Sequence, residues 1–484
     1  MFDMAVAPVQ QPVPAAPVAL TGAEIVGLAE GLVTATRSGG AGLADGEKVA
    51  VLAALEQLKA AAAAAQAHLA VALEASQVAG QEVAGVPASR RGRGIAAQVA
   101  LARRESPVRG AQHLGLARAL TAEMPCTLRA LEQGLLSEWR ATLVVRESAC
   151  LAAEDRRRLD AELAADSGRC EGWGDARLVA QARQIAYRLD PHAVVARTRR
   201  AETERHVSIR PAPETMARVS ALLPVAQGVA LYASLKAAAD AARAAGDPRG
   251  KGQVMADTLL TRVTGLAPTD PVPVTVGLVM TERTLLAGDA EPAFLPGYGT
   301  VPAGWARDLV AAATRRTPGP GTGPGSGGGP GAGAGGDGKV RAWLRRLFTA
   351  PSTGQLVAMD ARSRCFPGNL ATFLDLRDQT CRTPWCDAPI VHHDHAWTYA
   401  GGGPTTIDNG QGLCQACNHA KQAPGWRARA VPGETRHTIE TTTPTGHRYR
   451  STAPPPPGTP PGPHLLNGWT EENAPPGVDL APTG

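Results

Sequence analysis

Aromatic residues are scarce: Phe, Trp and Tyr make up only 4% of the 484 residues. A core poor in rings has to be filled by Ala, Leu and Val, and that composition favours helices over sheets. Also missing is any run of about 18–20 apolar residues free of charge and proline, so no transmembrane helix is expected. The opening segment MFDMAVAPVQQPVPAAPVAL has no basic stretch, and Pro8, Pro12, Pro14 and Pro17 break its apolar part. Those features argue against a secretory signal. Eight cysteines in a chain of this length make no disulfide scaffold, and a reducing cytoplasmic setting is the expectation. In excess are glycine and proline, 54 and 40 residues. The chain is also too long for one core, which rarely grows past about 250–300 residues.

The excess of glycine and proline divides the chain. Residues 1–20 read as disordered. Helical patterns follow from Thr21 to about Ala267, and the helical domain is placed at 21–316. Residues 317–338, TPGPGTGPGSGGGPGAGAGGDG, have nothing to bury and read as a flexible linker. A compact segment is expected at 339–450, then a proline-rich disordered tail at 451–484. Within the helical part, Val51, Leu55, Leu58, Ala62, Ala65, Leu69 and Ala72 form a heptad stripe on a helix over roughly 45–78. The stripe fits either the core face of an intramolecular bundle or the seam of a homodimer through the N-terminal helices. Ser106–Pro107 looks like a helix start, a capping residue followed by proline, and Pro125, the pair Gly172 and Gly174, and Asp190–Pro191 punctuate later helices. The β-branched stretches His206–Ile209 and Val272–Met280 suggest a small strand pair.

Charge is unevenly distributed. Residues 339–450 hold 14 Lys and Arg against 8 Asp and Glu, while the remainder holds 35 against 36. A basic segment is what a polyanion binder needs.

Four of the eight cysteines and four of the eleven histidines fall within residues 381–419. Cys381 and Cys386 have a four-residue spacer, and Cys414 and Cys417 a two-residue spacer. Each pair can turn two thiolates towards one ion, so together they can complete a tetrahedral zinc site. The competing reading is four unrelated buried thiols, but two tight pairs flanking one polar segment favour zinc. Cys126, Cys150, Cys170 and Cys365 stand alone and read as ordinary buried thiols. Between and beside the pairs lie Asp394–His395, Asn409 and Asn418. Each alone could be a turn or capping residue. Together they supply oxygen donors and an imidazole that titrates near neutral pH.

The ordered run of DH, then GGGPTTIDN, then CNHAK inside a four-cysteine frame resembles the HNH endonuclease family. The resemblance implies a ββα-metal unit, a hairpin and a helix around a divalent cation. It implies Asp394 and Asn418 as ligands of a catalytic Mg²⁺ or Mn²⁺, and His395 as the general base. Asn409 would brace the loop that orients His395. The implied reaction is DNA phosphodiester hydrolysis, leaving 5′-phosphate and 3′-hydroxyl ends. Lys421, Arg377 and Arg382 are candidates for DNA phosphate contacts, as are Arg427 and Arg429. His392 and His393 carry no assigned role; His419 reads as a solvated side chain or a phosphate contact, and His393 or His419 swinging in as a ligand of the catalytic ion is the competing ligand set. A zinc-knuckle DNA-binding protein without activity is the alternative. Upstream, RAWLRRLFTAPSTGQLVAMDARSR and SPVRGAQHLGLARALTAEMPCTLRALEQG resemble actinobacterial HNH proteins with an N-terminal helical domain of unknown function, the domain 222 type. The expected architecture is therefore mainly α: a multi-helix domain, a Gly/Pro linker and a small zinc-stabilised nuclease domain. SRRGRG at 89–94, opening a helix, could either grip phosphates or form a solvated basic turn.

Overall fold

The computed structural model describes residues 22–35, 42–166, 168–267, 278–314 and 368–455. The expected disordered start, the 317–338 linker, residues 339–367 with Cys365, and the tail beyond 455 lie outside the described residues.

Helices dominate. They are α1 (Gly22–Ala35), α2 (Asp45–Val83), α3 (Ile95–Arg103), α4 (Pro107–Ala122), α5 (Pro125–Glu132), α6 (Glu138–Ser148), α7 (Ala153–Ala164), α8 (Asp175–Leu189), α9 (Pro191–Thr203), α10 (Val225–Ala244), α11 (Lys251–Thr264), α12 (Glu282–Leu286), α13 (Ala303–Thr314), α14 (Gly368–Asp378) and α15 (Gln415–Lys421). The strands are β1 (His206–Ala212), β2 (Met216–Leu222), β3 (Ala293–Leu295), β4 (Gly299–Val301), β5 (His392–His395), β6 (Gly410–Leu413), β7 (Arg427–Val431), β8 (Thr438–Thr442) and β9 (Arg448–Thr452).

The main core lies among α2 and α4–α8, around Leu120, Met124, Leu131, Leu159, Leu163 and Leu178. Local chemistry sets the helix ends. The Ser106 hydroxyl accepts from Arg109 N with Pro107 in the first turn, and Asp190 Oδ1 accepts from Ala193 N at 2.8 Å before Pro191. Buried Asp160 on α7 caps α5 from a distance: its carboxylate accepts from Cys126 N at 2.7 Å and Thr127 N at 2.9 Å. A methyl group on Gly110 would collide with the Ala96 carbonyl and Ala100, so glycine is what lets α3 and α4 cross closely.

The long helix α2 buries a different face from the heptad stripe. Ala60, Ala63, Ala64, Ala67 and Ala70 pack inward, whereas Val51, Leu58 and Leu69 are 45%, 49% and 63% exposed. Alanine is nearly featureless in a hydrophobic pattern, so the leucines mark the wrong side. By length and composition α2 is also long and apolar enough to cross a membrane, contrary to the expectation. Only 17% of its most apolar window is buried, although its alanine face packs on α4 and α5.

The strand pair differs from expectation as well. His206–Ala212 folds back on β2 as an antiparallel hairpin, with His206 opposite Leu222. Val279 instead bridges Phe294, and residues 272–277 lie outside the described residues.

After α14, the C-terminal module forms the antiparallel pair β5–β6, then α15, then the antiparallel sheet β7–β8–β9. Its sheet continues to Thr452, past the expected end at 450, and Ala453 N donates to His437 O at 2.8 Å. The module rests on α3. A Cβ on Gly94, the residue before α3, would lie 2.5 Å from Trp426 Nε1 and 3.0 Å from Ala423 Cβ.

Candidate functional site

The two cysteine pairs converge. Cys381, Cys386, Cys414 and Cys417 are all buried, and their sulfurs lie within 4.8 Å of one another. Cys381 N donates to Ala388 O at 3.0 Å, which curls the first pair into a knuckle. Cys414 begins α15, and its sulfur accepts from Cys417 N at 3.4 Å. The sulfurs of Cys386 and Cys414 are 3.7 Å apart. A Zn–S bond of about 2.3 Å in a tetrahedron requires sulfurs about 3.8 Å apart, so the donor set fits such an ion. Hydrogen bonds within the cluster split the thiols. Cys386 chiefly holds Cys381 down at about 7, and Cys381 chiefly pulls Cys414 down. Bonding to Cys381 pushes Cys386 and Cys417 up. A cation among the four sulfurs would let all of them be thiolates.

Arg377 and Arg382, expected at DNA phosphates, are 6% and 2% exposed. Both guanidinium groups point inward. Arg377 forms a fork on Asp378, at 2.7 and 3.0 Å, and donates to Ile407 O at 2.5 Å and Gly410 O at 2.7 Å. Arg382 donates to His437 O at 3.0 Å and to Ser451 O. Burial draws Arg382 down to about 10, still charged at neutral pH. Asp378 also accepts from Gly412 N at 2.7 Å. This network ties α14, the first knuckle, β6 and the last sheet together, so these arginines hold the module and do not face a nucleic acid. Sequence reasoning missed Asp378. Its place beside Arg377 and four residues before Arg382 was the available signal.

The polar set gathers around β5 and α15. Asp394 pairs with Gln411 and His395 with Gly410 in the β5–β6 register. Strand alternation sends their side chains to opposite faces. His395 is buried, with Nε2 2.8 Å from Thr405 Oγ1 and its ring 5.5 Å from that of Tyr399. Thr405 is a partner of His395 that no motif in the sequence marks. Asn409 clamps the intervening loop: Oδ1 accepts from Trp397 N at 2.8 Å, and Nδ2 donates to Trp397 O at 3.0 Å and Pro404 O at 2.8 Å. Asn418, half-buried on α15, accepts from Gln422 Nε2 at 3.4 Å. Lys421, one turn later, donates to the Asp394 carboxylate and to His395 O. Its ammonium is thus engaged inside the site, away from the surface position expected of a phosphate contact. His393 pairs with Asp375 at 2.8 Å, while His419 is exposed. Arg429 is tied to Glu440 at 2.8 Å, whereas Arg427 is exposed.

Residues 49–321 match the family described as a domain of unknown function (DUF222), and the chain belongs to that family. The match ends before the four-cysteine module. No curated protein and no solved structure matches the chain.

Proposed function

We propose that the C-terminal module is a zinc-stabilised HNH-type endonuclease that hydrolyses DNA phosphodiester bonds. One observation carries the reading: a two-stranded hairpin bearing Asp394–His395 and a following helix bearing Asn418, joined through a loop clamped by Asn409, inside a four-cysteine frame. Cys381, Cys386, Cys414 and Cys417 would hold Zn²⁺, which replaces a core that so short a segment cannot build. A Mg²⁺ or Mn²⁺ ion held by the oxygens of Asp394 and Asn418 would supply charge neutralisation at the phosphate and the leaving oxygen. His395 would take a proton from the water that attacks phosphorus in line, and the bond to the 3′-oxygen breaks. Thr405 fixes the imidazole orientation, and Asn409 fixes the loop beneath it. The cytoplasm is the compartment that suits free thiolates and DNA.

A second reading has its own support. Asp394 already has the Lys421 ammonium as partner, and His395 is only 6% exposed. Both facts favour a zinc-stabilised DNA-binding module without catalysis.

Plasmid nicking by zinc-loaded protein, with Mg²⁺ or Mn²⁺ added singly, separates the two. The nuclease reading requires metal-dependent nicking that falls by about 10²–10⁴ in His395→Ala, with DNA affinity and zinc content retained. Salt-sensitive DNA binding without nicking under either ion selects the second reading.

A further inference from the structure

The basic turn SRRGRG at 89–94 belongs to the helical domain, yet it lies against the C-terminal module. Gly94, with φ 83°, has no room for a side chain because the Trp426 indole and Ala423 occupy that space. Thr445 Oγ1 also donates to Gln98 Oε1 of α3 at 3.3 Å. Trp426 and Ala423 directly follow α15, the helix that carries Asn418 and Lys421. The turn is held from its own side too. Gly92 N donates to Gln81 Oε1 at 2.7 Å, and Arg91 is fixed on Glu82 and the Val86 carbonyl. Arg91 is therefore spent on the scaffold. Arg90 and Arg93 are exposed, and neither has an ion-pair partner among the described residues. Arg427, on the module side of Trp426, is exposed as well.

We infer that Arg90 and Arg93 of the helical domain, with Arg427 of the C-terminal module, form one duplex-DNA backbone-binding surface spanning the contact between the two parts. The inference rests on the DNA reading of the module and assigns the helical domain a share in substrate binding. Three guanidinium groups around this contact suit phosphate oxygens, whose spacing along a duplex is regular and whose contacts carry no sequence information. Arg377 and Arg382, two of the residues the sequence suggested for phosphate contacts, are buried, so on this reading exposed arginines such as Arg427 have to supply them.

The test is titration of fluorescent duplex DNA with the zinc-loaded full-length chain, without added Mg²⁺, across about 50–200 mM salt. Arg90→Ser/Arg93→Ser removes two charges from an exposed turn. It is expected to weaken binding on the order of tenfold at the low-salt end and to flatten the log–log salt slope by about 2. Arg199→Ser/Arg200→Ser, equally exposed charges on α9, should leave both quantities unchanged. Wild-type affinity and slope in the 90/93 variant would overturn the shared surface and leave the nuclease reading standing. Absence of salt-sensitive DNA binding by the wild-type chain would overturn both.

Discussion

Lys421 is the residue whose position most constrains the chemistry. Its ammonium meets the Asp394 carboxylate and the His395 carbonyl in a half-buried setting. A divalent cation at Asp394 must therefore compete with a resident positive charge. In this partly solvated setting the competing charge is worth on the order of 1–2 kcal/mol, well below the unscreened value at an effective dielectric constant near 20. Lys421→Met is expected to tighten Mn²⁺ binding on the order of tenfold, read by titration calorimetry on zinc-loaded protein independently of any nicking. Unchanged affinity would place the ion away from Asp394. Asp378 is the second decisive residue. It is buried and accepts from Arg377 and from Gly412 N, with Arg382 3.9 Å away. Removing one partner of such a pair costs about 3–5 kcal/mol because the remaining charges stay buried. Asp378→Ala should therefore unfold the module, seen as loss of zinc retention while the helical domain keeps its circular dichroism signal.

Elements differ in how openly their sequence announces them. The knuckles were legible because the cysteines of each pair lie within a few residues of one another, whereas the Asp394–His395 strand and α15 were expected from the resemblance. Ser106 marks a helix start for the same reason as the knuckles. The burial of Arg377 and Arg382 was not legible: their partners at Ile407, Gly410, His437 and Ser451 lie 30 to 69 residues away. The inward face of α2 was hidden by composition, since an alanine face gives no contrast against scattered leucines. That leaves the heptad stripe of α2 outward, with Leu58 and Leu69 in solvent. A 3.5-residue stripe on a helix of 39 residues is the pattern of a two-stranded seam. The chain is accordingly expected to self-associate through α2. Leu58→Asp/Leu69→Asp should shift it to monomer in sedimentation equilibrium, and a wild-type chain monomeric at tens of micromolar would exclude the seam.

At the scale of the whole molecule, stability should depend on pH through the module. His437 is buried near Arg377, Arg382 and Asp378, and it is held down to about 4, by burial first and then by the Arg377 charge. An unfolded histidine takes its proton near 6.5, so between about 4 and 6.5 the unfolded chain binds more protons than the folded one. The neutral imidazole's contribution is thus complete above about pH 6.5. It declines as pH falls towards 4, by about 1.4 kcal/mol per unit and about 3 kcal/mol in all. His437→Gln should flatten that part of the profile in urea unfolding. A variant as acid-sensitive as wild type would assign the slope to other groups. Metal removal should act on the same part alone: chelation at the four cysteines is expected to melt the module and leave the α2–α8 core intact, giving two separate calorimetric transitions.

The bonds from Arg382 also set an order in time. Its guanidinium is held by carbonyls 55 and 69 residues further along the chain, at His437 and Ser451. During synthesis the first knuckle therefore emerges with only Asp378 near that charge, long before the two carbonyls that accept from it. A helical core whose contacts are complete earlier folds first, domain by domain. The surface of α3, with the gap at Gly94 ready for Trp426, is then finished before the module that docks on it exists. The nascent module would be completed against a template the chain has already made, and only after its last strand has left the ribosome.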